Sequence, residues 1–148
     1  MSKDSLKFFQ SYILEMADIG GENLPKSVST KLGTKLGKLY KDRNPNADLE
    51  TNLKKIYKVL KAKPTVNKIN ENTWRVTVIH KKKFCPIGGC YRLERAEFFN
   101  KNICVPFTLG FLHELEPELK FEAEINSCIV SQNTKTCNYI LTIEAKNN

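Results

Sequence analysis

The sequence predicts an α+β fold: N-terminal helices packed on an antiparallel sheet, with a late helix and a C-terminal hairpin. Three observations predict it. Apolar residues recur at helical spacing through the first sixty or so residues. The pattern then shortens to strict alternation around "TWRVTVIH". A second helical stretch leads into the alternating segment "FEAEINSCIVSQNTKTCNYILTIE". Helices first, then strands with a helical insertion, fit helices on one face of an antiparallel sheet. The 148 residues are read as one domain, 1–148, long enough to bury a core.

The first helix covers 5–18, with Leu6, Phe9, Ile13 and Met16 on its apolar stripe, and Gly20-Gly21 stops it. The second runs from Pro25 to Asp42, with Val28, Leu32, Leu36 and Leu39 expected inward. Gly33 and Gly37 lie one turn apart and allow another element to approach closely. A third helix spans 48–62 and turns Leu49, Leu53, Ile56 and Leu60 inward. Two strands then surround a polar turn at Asn70–Asn72. On the second, Trp74, Val76, Val78 and His80 share one face. "CPIGGC", 85–90, is a loop by its proline and glycines. A short helix near 92–99 precedes a separate one over 102–116, whose expected face carries Cys104, Phe107, Phe111 and Leu115. Pro117 ends it, and a hairpin turning at "SQNTKT" closes the chain.

The net charge of +8 comes from 24 basic and 16 acidic residues, the basic ones mostly lysines scattered through every segment. Such scatter reads as solubility, and nucleic acid is not an expected partner. No apolar run reaches the length of a membrane span, and the N-terminus mixes charges into its apolar positions, so the expected location is cytoplasmic. Five cysteines without an export signal argue for thiols or a metal site over a disulfide framework.

Zinc takes thiolate, imidazole and carboxylate ligands in a tetrahedron. Cys104 lies on an inward stripe. Glu124 and Cys128, four apart on a strand, point to one face, and the hairpin returns Cys137 beside Cys128. Cys104, Glu124, Cys128 and Cys137 are therefore the expected metal ligands. Cys85 and Cys90 either join the site or are loop thiols. His113 falls on the opposite helix face from Cys104 and reads as surface.

The stretch "ICVPFTLGFLHELEPELKFEAEINSCIVSQNTKTC" resembles the C-terminal signature of the vinyl-4-reductase domain family. The matching residues are Cys104, Gly110-Phe111, Glu124, Cys128 and Cys137-Asn138-Tyr139. The resemblance implies a fold related to transport-particle subunits of vesicle tethering and to haem nitric-oxide sensors. It also implies a small-molecule pocket, and, as in phenol-sensing transcription activators with a similar domain, a structural zinc held by cysteines and a glutamate. Two departures from the family pattern matter, one in the spacing of the carboxylate and one between the last two cysteines, whose gap is one residue longer. Three residues separate Glu124 from Cys128, one more than the family pattern, and the glycine usual between the last two cysteines is missing. A β-bulge absorbs such a shift, or Glu122 substitutes.

The leading expectation is a domain that binds or senses a small apolar or aromatic molecule, with a structural zinc. Trp74, Val76, Val78 and His80 form one pocket wall and Phe107 and Phe111 the other; a homodimer is the expected assembly. No nucleophile–base pair stands out, so no catalytic residue is assigned and the protein is not expected to be an enzyme. Two alternatives come from other classes. "CPIGG" resembles the skeleton of a related amino-thiazoline acid hydrolase family, which would place a small hydrolase at loop 85–90 near His80. The other alternative is a basic nucleic-acid-binding protein.

Overall fold

The computed structural model of the chain describes residues 3–58 and 60–146. Its elements are α1 (Lys3–Gly20), α2 (Asn23–Arg43), α3 (Leu49–Lys58), β1 (Lys63–Asn70), β2 (Thr73–Ile79) and α4 (Leu93–Phe99). A π-helical turn (Asn100–Cys104), α5 (Val105–Leu115), β3 (Leu119–Ser127), α6 (Ile129–Gln132) and β4 (Thr136–Ala145) follow. The strands form one antiparallel sheet in the order β1-β2-β4-β3. The helices cover one face of it, as the α+β reading expects. No helix among the described residues is long and apolar enough to cross a membrane.

Local chemistry explains the boundaries. Gly21, at φ +73°, turns the chain out of α1. The Asp48 carboxylate accepts the Thr51 N–H at 2.8 Å and caps the start of α3. Lys61 and Asn133 adopt left-handed conformations where α3 and α6 give way to strands.

The face that α2 buries is not the one its apolar period marks. Pro25, Ser29, Gly33 and Gly37 are buried, while of the expected stripe Val28, Leu32 and Leu39 are exposed and Leu36 is half-buried against the core. The reason is backbone contact with α5. A Cβ on Gly33 would collide with the Phe107 carbonyl, and one on Gly110 with the Thr30 carbonyl. On Gly37 it would lie 2.7 Å from the Phe111 oxygen. Small residues win this face because they let the two helices touch main chain to main chain, which leucines cannot.

The helix pair expected at 92–99 and 102–116 is one continuous run, Leu93–Leu115, interrupted by the π-turn. There the Val105 N–H bonds to the Asn100 carbonyl, five residues back. The extra residue rotates the two halves relative to each other. Phe111 and Leu115 enter the main core, while Cys104 and Phe107 are only half-buried.

The closing hairpin also differs. Helix α6 sits where a turn was expected, and the β3–β4 register shifts between Ile125 and Ser127. Cys128 is therefore the N-cap of α6, not a strand residue. Cys137 lies on β4 opposite Val78 of β2.

The main core joins Leu53 and Ile56 of α3, Val76 and Val78 of β2, Phe111 of α5, and Tyr139 and Leu141 of β4. Tyr40 of α2 meets Phe111 edge-on, with ring centres 5.6 Å apart.

Candidate functional site

A cavity of about 580 Å³ lies between α1, α2, the end of α3, the π-turn and the inner face of the sheet. Its walls are overwhelmingly apolar: Leu6, Ile13 and Met16 from α1, Leu36 from α2, Ile56 from α3, Ile103 and Phe107 from the late helix. It exists because α1 stands off from the core. Gln10 is the one buried residue among the α1 residues whose burial is described. Its amide donates weakly to the carbonyls of Cys85 and Pro86, at 3.5 and 3.4 Å, and ties α1 to the 85–90 loop.

Polar groups are few. Tyr57 and Tyr139 line the cavity, and the Tyr57 hydroxyl donates to that of Tyr139 at 2.7 Å. Burial raises both phenol pKa values, so both stay neutral across the ordinary pH range. His80 is buried at the cavity edge, where loss of solvent pulls its pKa down and favours the neutral imidazole.

One end is rich in sulfur. Cys85, Cys104, Cys128 and Cys137 all line the cavity. Cys85 and Cys137 pack against Cys128, Ala96 and Val130. Burial raises the Cys104 thiol well above its ordinary value and pushes Cys137 up to about 12. Charge on Cys85, Cys137 or Cys128 would oppose ionisation of Cys104 further. Cys85 is raised as well, again chiefly by burial, although its sulfur accepts the Gly88 N–H at 3.3 Å. Thiols held in the protonated form are poor nucleophiles. Among the described residues, no three His, Cys, Asp or Glu side chains are set closely enough to hold a metal ion.

The expected ligand-binding residues divide. Val78, His80 and Phe107 line the cavity. Trp74, Val76 and Phe111 lie outside its lining: Val76 and Phe111 are fully buried in the main core, and Trp74 packs at its edge under the Lys68 ammonium. Three of the expected metal ligands, Cys104, Cys128 and Cys137, converge on the cavity. Glu124 does not join them. It is exposed and borders an open surface cleft with Glu97 and Asn126. The register shift beyond Ile125 turns Cys128 inward while Glu124 stays outward. Glu122 is exposed too, paired with Lys120 at 2.9 Å.

His113, expected at the surface, is half-buried. Its Nε2 accepts the Phe121 N–H at 3.2 Å and its ring packs 5.5 Å from that of Phe121. Sequence reasoning missed Tyr57, Tyr139 and Gln10; of the two alternatives it left open for Cys85 and Cys90, Cys85 lines the cavity and Cys90 is an exposed loop thiol. The alternation of β4 marks Tyr139 as inward, but nothing in the sequence pairs it with a tyrosine eighty-two residues earlier.

No protein-family model and no curated protein matches the chain. Among solved structures, the fold is similar to a trafficking protein particle complex subunit 3 from Naegleria fowleri covalently bound to palmitic acid. That match has a TM-score of 0.64 at 11% identity and covers 99% of this chain and 95% of the other. The fold is also similar to the phenol-responsive sensory domain of the transcription activator PoxR with phenol, with a TM-score of 0.59 at 12% identity over 93% of this chain and 73% of that one. The chain is thus distantly related in structure to the transport-particle-subunit and small-molecule sensory folds.

Proposed function

We propose that the chain is a binding domain of the vinyl-4-reductase type for a small apolar molecule held in the cavity. The carrying observation is the 580 Å³ apolar space with a few polar groups on its wall. Two structurally similar proteins hold palmitic acid and phenol, which supports a ligand of apolar or aromatic character. Size favours the larger kind. A cavity that holds benzene is about 150 Å³, and this one is roughly four times that. A long acyl chain or a multi-ring compound fits it better than a single ring. Burial disfavours the Cys85 thiolate and the charged form of His80, and no hydrogen bond joins the two, which supports binding over the hydrolase alternative. Free thiols suit a reducing compartment, in keeping with the cytoplasm.

Isothermal calorimetry with palmitate and with phenol tests the reading. Palmitate should bind with saturation and more tightly than phenol. Ile13→Trp, which fills the space from α1, should abolish binding while the far-ultraviolet spectrum is unchanged. No saturable heat with either compound would remove the proposal.

A second reading adds zinc at the sulfur-rich end. It is favoured by the four thiols that line one cavity. In it Cys85, rather than Glu124, completes the set with Cys104, Cys128 and Cys137. As placed, the thiols do not fit a metal, so binding would have to draw them together and release their protons. Elemental analysis of protein purified without chelator should find about one zinc per chain; its absence would remove this reading alone.

A further inference from the structure

The wall of the apolar cavity is uncharged. The chain carries 24 basic and 16 acidic residues, yet no Lys, Arg, Asp or Glu is among the described residues that line it. His80, the one histidine there, is biased to its neutral form by burial, and Cys85, Cys104 and Cys137 are biased to neutral thiols in the same way. A carboxylate, phosphate or ammonium drawn inside would have no counter-charge, and burying a lone charge is costly. Such a head group has a place only at the side between α1 and α2, where Phe9, Tyr12, Val28 and Leu32 line the cavity and are also exposed.

Tyr57 and Tyr139 set a second condition. Two phenols carry two O–H protons, and their mutual bond of 2.7 Å uses one of them. Whichever hydroxyl donates, one proton is left over. As the two are arranged it belongs to Tyr139, a side chain only 5% exposed. Neither hydroxyl makes a second hydrogen bond among the described residues. Burial keeps both phenols protonated, so ionisation does not remove the spare proton. The pair therefore presents one donor to an apolar, charge-free space. Ser29 and Thr108 also reach the wall, but a lone hydroxyl donates or accepts with equal ease and selects neither kind of group.

We propose that the Tyr57–Tyr139 pair is the polar handle of the cavity, donating its spare O–H to an uncharged acceptor oxygen on an otherwise apolar ligand. The ligand class is then a long-chain or multi-ring ketone, aldehyde or ester. A carbonyl oxygen accepts the proton and brings no donor of its own. A hydrocarbon leaves the proton unmet, and a buried donor without an acceptor penalises the complex. An alcohol or phenol accepts it but adds another proton to be placed. This assignment rests on the proposed binding role of the cavity and names the chemistry that the cavity selects.

Infrared spectroscopy of the full chain with methyl laurate reads the bond directly, because the ester carbonyl absorbs clear of the protein amides. The carbonyl stretch of the bound ester should lie at lower frequency than in hexane, as donation from a hydroxyl requires. In Tyr57→Phe/Tyr139→Phe it should return to the hexane value, and calorimetry should show the ester bound about tenfold more weakly, the worth of one buried hydrogen bond. A stretch in wild type equal to that in hexane would overturn the proposal, and that comparison does not depend on the variant folding. A lowered stretch that persists in the folded double variant would overturn it too, by making another group the donor. So would saturable binding of palmitate with none of methyl laurate. In each of these cases the binding role of the cavity survives. No saturable binding of methyl laurate, palmitate or phenol would remove that role and the handle with it.

Discussion

The Tyr57 hydroxyl on α3 donates a hydrogen bond to that of Tyr139 on β4 across 2.7 Å, and this is the polar seam between the helical layer and the sheet in the cavity wall. Both phenols are buried, so neither gains from ionising and each depends on the other for a partner. Removing one hydroxyl strands the other. Tyr57→Phe is expected to cost about 1–3 kcal/mol of stability. Tyr57→Phe/Tyr139→Phe should cost less than the sum of the single changes, because nothing polar is then left without a partner. Urea unfolding of the four proteins measures the coupling, and additive costs would show that the bond contributes nothing of its own.

Helices α2 and α5 leave no room for side chains at their crossing. Gly110→Ala drives a methyl group into the Thr30 carbonyl, and Gly33→Ala drives one into the Phe107 carbonyl. Each should destabilise by about 3 kcal/mol or more, the upper end of overpacking. Gly21→Ala, with open space around it but φ +73°, should cost only about 1 kcal/mol. Equal losses at Gly21 and Gly110 would mean that the crossing is looser than described.

Histidine sets the acid limb of stability. Burial lowers the pKa of His80, and burial with the nearby Lys146 lowers that of His113. The unfolded chain therefore binds protons at these sites before the folded one does, and stability rises with pH across that interval. It is fully present above the ordinary histidine value of about 6.5 and falls as the pH drops through the lowered folded values. Protonation of His113 also removes the acceptor of the Phe121 N–H. His80→Gln and His113→Gln should each flatten the decline below pH 6.5, as followed by melting temperature against pH. An unchanged slope in both would overturn the assignment.

Thiol chemistry should separate the cysteines. Cys90 is exposed, whereas Cys85, Cys104 and Cys137 are disfavoured as thiolates by burial. In native protein near pH 8, a disulfide reagent should therefore modify Cys90 fast and those three slowly. Bound palmitate should slow Cys104 further. Fast modification of all five, with the fold intact, would contradict the enclosed sulfur-rich end.

Much of the architecture is legible in the sequence because it rests on period alone. The β1–β2 hairpin follows from alternation, and the inward faces of Leu53, Ile56, Val76 and Val78 follow from single strong stripes. The failures have physical causes. A single inserted residue makes the π-turn, and no residue type announces it, so the facing of Cys104 relative to Phe111 could not be read by counting. Strand parity groups Glu124 with Cys128, which holds only while the strand is unbroken, and the shift after Ile125 breaks it. Helix α2 carries two candidate stripes, one of leucines and one of small residues, and hydrophobicity favours the wrong one. The convergence of Cys104, Cys128 and Cys137 was legible; the arrival of Cys85 depends on a loop docked through Gln10 of α1, which no local pattern encodes.

The glycine-locked crossing of α2 and α5 bears on how such a chain changes over generations. At Gly33, Gly37 and Gly110 main chain meets main chain, so drift there is closed to any residue with a side chain. The cavity-facing positions of α1, such as Leu6, Ile13 and Met16, meet open volume and tolerate exchange of size and shape. The cost of substitution is therefore unequal: the crossing resists any added side chain, while the pocket wall has room to change its lining. Descendants of one ancestral scaffold can come to hold different molecules without refashioning its skeleton.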